Sequence, residues 1–130
     1  MAIKPPEEWL QQADYDLKIA KHMFKGGSNI YTVFMCHLSI EKVLKGIYTK
    51  IIIEIPPKTH NLLYLINKIG IQLPEFLYNF VFELNRVSIP TRYPDDLKRM
   101  FKEYNKSRTK EILEKSEEVI KWLKREFEKQ

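Results

Sequence analysis

The chain has 130 residues, 44% hydrophobic and 30% charged, which suits one compact domain spanning 1–130 with a single core. Its first residues, Met-Ala-Ile-Lys-Pro-Pro-Glu-Glu, contain no apolar signal core, and the longest aliphatic run is only Ile51 to Ile53. Export and membrane spanning are therefore unsupported, and a cytoplasmic location is expected. The lone cysteine, Cys36, has no internal disulfide partner, and three histidines without Cys/His spacing do not make a zinc site, so neither metal nor cofactor is expected. A formal charge of +5 favours contact with phosphates, although Lys and Glu mostly alternate as on a solvated helix face.

From Pro6 to Phe24, Leu10, Ala13, Leu17, Ala20 and Phe24 recur at spacings of three and four and predict a helix that Gly26-Gly27 stops. Ser28 or Asn29 is positioned to cap a second helix from about Ile30 to about Lys50, which Pro56-Pro57 cannot continue. A short third helix starts after Thr59, carries Leu62, Leu65, Ile66 and Ile69 on one side, and ends at Gly70. The fourth begins near Pro74 and runs through Phe76, Leu77, Phe80, Val81 and Leu84 to Ser88-Ile89-Pro90. Thr91 to about Lys106 reads as a long ordered connection with a helical turn around Leu97 to Phe101. The last helix, from about Ser107 to Glu128, turns Ile112, Val119, Ile120, Leu123 and Phe127 inward. Short connections between amphipathic helices predict an all-α fold, an up-and-down bundle of four main helices plus one short one.

Turning the second helix at 100° per residue places Val33, Cys36, Ile40, Val43, Leu44, Ile47 and Ile51 on one apolar side. Beside it, His37, Glu41 and Lys45 follow one another at i, i+4 among Phe34, Leu38 and Tyr48. Such a strip is either a salt-bridged edge of the core or the lining of a polar groove or dimer seam. His60 is a candidate general base or anion contact, or a local hydrogen-bonding residue at a helix start. Arg92-Tyr93 combines a phosphate fork with a stacking surface, while Tyr93-Pro94-Asp95 would equally pin a loop; Asp95 and Asp96 suit the cap of the following turn.

In order, Trp9-Leu10 through Asp16-Leu17, His37-Leu38-Ser39-Ile40-Glu41-Lys42-Val43-Leu44-Lys45, Thr59-His60-Asn61-Leu62 and Thr91-Arg92-Tyr93-Pro94-Asp95 resemble the HEPN family from about Glu7 to Glu128. The resemblance implies a helical bundle, frequently a homodimer, whose prokaryotic members are often encoded beside a minimal nucleotidyltransferase in toxin-antitoxin-like pairs. Some members are metal-independent ribonucleases; others are thought to bind nucleotides or to scaffold the partner enzyme. The ribonucleases carry an arginine followed four to six residues later by a histidine, for anion contact and acid-base chemistry. Here His22, His37 and His60 all precede Arg86, Arg92, Arg99, Arg108 and Arg125, so that motif is absent.

The leading expectation is thus a non-catalytic protein binding a nucleotide or RNA and acting with a nucleotidyltransferase. Arg92, Lys42 and Lys45 are its phosphate contacts, Tyr93 its stacking surface, and His37, Glu41 and His60 complete the site. The alternatives are a metal-independent ribonuclease pairing His60 with Arg92 across a folded or dimeric cleft, and a structural subunit that associates through Phe76, Tyr78, Phe80 and Phe82.

Overall fold

The computed structural model describes residues 3–92 and 97–130, the side chains of 88–92 excepted. Its helices are α1 (Pro6–Lys25), α2 (Asn29–Ile52), α3 (Leu62–Ile69), α4 (Glu75–Arg92), α5 (Leu97–Glu103) and α6 (Lys106–Lys129), with no strand among the described residues. Four long helices form the predicted bundle, but there are two short ones where the sequence suggested one.

The centre is α2, which packs against every other helix. Its apolar residues Val33, Cys36, Ile40, Val43, Leu44 and Ile47 are all fully buried, while Ile51 is half-buried. This continuous apolar face explains why the longest interior helix takes the middle of the bundle. Small groups let α1 approach it closely. The Ser39 hydroxyl donates to the Ala13 carbonyl at 2.7 Å. A Cβ added at Gly46 would lie 3.1 Å from the Trp9 Cβ and 3.2 Å from the Pro6 carbonyl oxygen. These contacts make α1 and α2 antiparallel.

Helix α6 runs in the same sense as α2. At one end the Asn29 amide donates to the Tyr104 carbonyl, just before α6; at the other the Lys50 ammonium donates to the Phe127 carbonyl at 2.9 Å. Ion pairs from Lys21 to Glu117 and from Asp14 to Lys124 close α1 against α6.

Several boundaries differ from expectation for local reasons. Ser28 occupies the N-cap of α2, yet its side chain caps nothing; its carbonyl instead accepts from the Thr32 amide and hydroxyl, and Asn29 commits its side chain to Tyr104. Helix α4 runs through Pro90 to Arg92 rather than stopping there. A proline near the end of a helix removes one donor, but its fixed φ is itself helical, so two further residues follow. The connection before α6 is shorter than predicted, because Met100 and Tyr104, one turn apart, are buried and hold α5 against the bundle. Asn61 and Asn105 cap α3 and α6, accepting from the Tyr64 and Arg108 amides. No helix among the described residues is long and apolar enough to cross a membrane.

Candidate functional site

The polar strip of α2 is buried, with Glu41 at 3% and Lys45 at 8% exposure and His37 fully enclosed. A carboxylate in that setting needs compensating partners. Glu41 Oε2 accepts from Lys45 Nζ at 3.1 Å, and Glu41 Oε1 lies 2.8 Å from His60 Nδ1 and 4.0 Å from His37 Nδ1. Because a carboxylate only accepts, His60 Nδ1 must carry the donated proton, which leaves Nε2 available to a ligand. The His60 side chain is 60% exposed, so one edge of the imidazole is fixed by a buried acid while the other meets solvent.

Lys45 is held from two directions, since its ammonium also lies 5.9 Å from the centroid of the Trp9 ring. Lys4 approaches the same ring at 4.0 Å. The N-terminal part of α1 therefore covers the Lys45 side of the cluster, and close packing of Trp9 on Gly46 sets its position.

His60 is also fixed from the other side. Asn85 of α4 accepts from the Leu62 amide at 2.8 Å through Oδ1 and donates to Asn61 Oδ1 at 3.3 Å through its amide nitrogen. Asn61 Oδ1 simultaneously caps α3 by accepting from the Tyr64 amide. The residue directly after His60 is thus tied to both α3 and α4.

Of the seven residues singled out from sequence, the structure brings together His37, Glu41, Lys45 and His60. Lys42 is elsewhere: its ammonium sits 2.8 Å from the carboxylate of buried Asp16 on α1. Neither Lys42 nor Lys45 is presented as the free phosphate contact expected of it, because each already neutralises a buried acid. Tyr93 and the Arg92 side chain lie outside the described residues; Arg92 is the last residue of α4, two helical turns beyond Asn85. The contacts from Trp9, Asp16, Asn61 and Asn85 were not anticipated. Periodicity within one helix cannot identify His60, nineteen positions away, as a partner of Glu41.

The exposed aromatics of α4 do not share one face, since Phe76 borders α6 and Tyr78 borders α3. Phe76, Tyr78 and Phe82 are exposed, and a cleft of about 370 Å³ between α4 and α6, floored by Phe80, Leu84 and Ile112, contains none of the seven residues. Among the described residues no cluster of three or more His, Cys, Asp or Glu could hold a metal ion. Cys36 is no nucleophile, since burial pushes its thiol up to about 12.

Two solved structures share this architecture. TT1696 from Thermus thermophilus superposes with a TM-score of 0.80 at 23% identity, over 92% of this chain and 96% of its own. ST0689, an archaeal HEPN homologue, gives 0.76 at 23% identity, over 96% and 99%. No curated protein matches the chain. The HEPN domain model matches residues 6–126, so the bundle built around α2 and its buried acid belongs to the HEPN family.

Proposed function

We propose that this HEPN protein binds a nucleotide or polynucleotide without cutting it, and acts with a minimal nucleotidyltransferase in a toxin-antitoxin-like pair. The observation that carries this reading is the exposed His60 imidazole, oriented at 2.8 Å by a buried carboxylate that Lys45 balances. A ring held this way offers one nitrogen to a phosphate or ribose oxygen with little orientational freedom left to lose on binding. Lys45 acts through Glu41 rather than on the ligand. Arg92 supplies the guanidinium for a phosphate and Tyr93 the stacking face. The order of histidines and arginines along the chain denies it the nuclease motif of the family.

Calorimetric titration of ATP, GTP and a short RNA tests the proposal. Binding that weakens in both His60→Ala and Arg92→Ala is expected; no binding of any of the three ligands would overturn it. The nucleotidyltransferase is tested by co-purification with the product of a neighbouring gene. The reading includes a homodimer, and light scattering that shows a monomer at high concentration would remove that part.

The contact between His60 and Glu41 also favours a second reading, a metal-independent ribonuclease. A carboxylate that fixes the tautomer of an exposed imidazole is the arrangement a general base requires. RNA digestion in the presence of a chelator, lost in His60→Ala, would support it. Intact RNA at high protein concentration would dispose of it.

A further inference from the structure

Positive charge is unevenly spread along the chain. Residues 91–110 hold seven cations, Arg92, Lys98, Arg99, Lys102, Lys106, Arg108 and Lys110, against three carboxylates, Asp95, Asp96 and Glu103. That excess of four is nearly the whole formal charge of +5. The described part of this stretch centres on α5, where Met100, with Tyr104 just past the helix, is buried while Lys98 and Lys102, one turn apart, face solvent. Between those lysines Phe101 is 60% exposed, and Leu97, one turn before it, is exposed as well.

Arg108 is committed to the protein, donating to the Glu103 carbonyl and lying 5.0 Å from the Tyr104 ring centroid. Lys110 is drawn toward Glu114 at 4.0 Å. Lys98, Lys102 and Lys106, by contrast, form no ion pair among the described residues. A mostly exposed phenylalanine beside unpaired lysines contributes little to stability, because less than half of its apolar area is buried and the like charges repel. It does match what a single-stranded nucleic acid needs, a ring on which a base of any identity can stack with cations for the flanking phosphates.

We propose that the ridge formed by Lys98, Phe101 and Lys102 of α5 with Lys106 at the start of α6 binds single-stranded RNA, with Phe101 stacking a base and the lysines contacting its phosphates. This rests on the reading of the chain as a nucleotide or polynucleotide binder and narrows it to a polynucleotide. Spacing supports the narrowing. Asn29, which bonds to Tyr104 at the end of α5, precedes Glu41 by twelve residues on α2, so the ridge and the His60 site are separated by roughly 18 Å along that axis. A mononucleotide cannot bridge that distance, whereas a strand of several nucleotides can.

The experiment measures fluorescence anisotropy of a labelled oligouridylate of about twelve nucleotides, a length drawn from known single-strand sites, together with calorimetry of ATP on the same proteins. Phe101→Ala is expected to weaken the oligonucleotide about tenfold. Lys98→Ala/Lys102→Ala is expected to lower the slope of log affinity against log salt by about 1.4, two phosphates at ~0.7 each. ATP affinity, circular dichroism and oligomeric state should not change. If His60→Ala weakens the oligonucleotide and neither ridge variant does, the ridge is wrong while the proposed function stands. Wild-type protein that binds ATP and no oligonucleotide leads to the same conclusion. If neither ligand binds, both fall. A ridge variant that alters oligomeric state but leaves RNA binding intact would mark a protein-protein surface and overturn the proposal.

Discussion

Removal of the Glu41 carboxylate is the sharpest test of the buried cluster. In Glu41→Ala the Lys45 ammonium, 8% exposed, loses its partner at 3.1 Å and keeps only the distant Trp9 face. Breaking a buried pair in this way costs about 3–5 kcal/mol, against about 0.2–1 kcal/mol for an exposed pair. A domain of this size has a total stability of roughly 6–15 kcal/mol, so the variant should fold but melt much earlier. Lys45→Met leaves the acid with its His60 contact and should cost less. In Glu41→Ala/Lys45→Met both charges are gone, and the double variant should be more stable than the sum of the single losses by about 1–3 kcal/mol. Urea denaturation followed by circular dichroism measures all three, with an unchanged m-value confirming that one transition is compared throughout. A coupling below about 0.5 kcal/mol would mean that water reaches the pair and that the cluster is an ordinary surface bridge.

Three other outcomes are expected. Gly46→Ala should separate α1 from α2, because its new Cβ would press on Trp9 and the Pro6 carbonyl; a loss of about 1–3 kcal/mol in denaturant titration is predicted, and no loss would show that α1 can shift freely. Ile53, 72% exposed, caps α2 with φ +59°, a conformation costly for a β-branched residue; Ile53→Gly should therefore stabilise the fold by about 1 kcal/mol, read as a raised melting temperature. Cys36 titrates near 12 in the folded chain against 9.0 ordinarily, so the folded state holds its proton longer than the unfolded state does. The thiol's contribution to stability is complete below pH 9 and lost progressively up to pH 12, and Cys36→Ala should flatten that part of the profile; alkylation at pH 8 should require denaturant.

The bundle was legible because α2 advertises itself. Val33, Ile40, Val43 and Ile47 repeat at helical spacing, and the surrounding segments each carry one apolar stripe to lay against it. Gly26-Gly27 and Gly70 marked two helix ends correctly, since each of these turns needs a residue with positive φ. Pro90 misled, because proline forbids a backbone bond without forbidding helical φ. The site was half legible. His37, Glu41 and Lys45 stood out as ionisable groups among Phe34, Leu38 and Tyr48, and burial explains why they needed each other. The meeting of Glu41 with His60, the capture of Lys42 by Asp16 and the role of Asn85 depend on how separate helices dock, which no spacing within one segment records.

The shared oxygen of Asn61 makes the imidazole a reporter on the rest of the molecule. It accepts at once from the first turn of α3 and from Asn85, so α4 cannot slide along its axis without either breaking that junction or dragging residue 60 with it. Whatever grips the far end of α4, where Arg92 ends the helix, would be felt as a change in how His60 sits on Glu41. The histidine's NMR chemical shifts would follow events along α4 that never touch it.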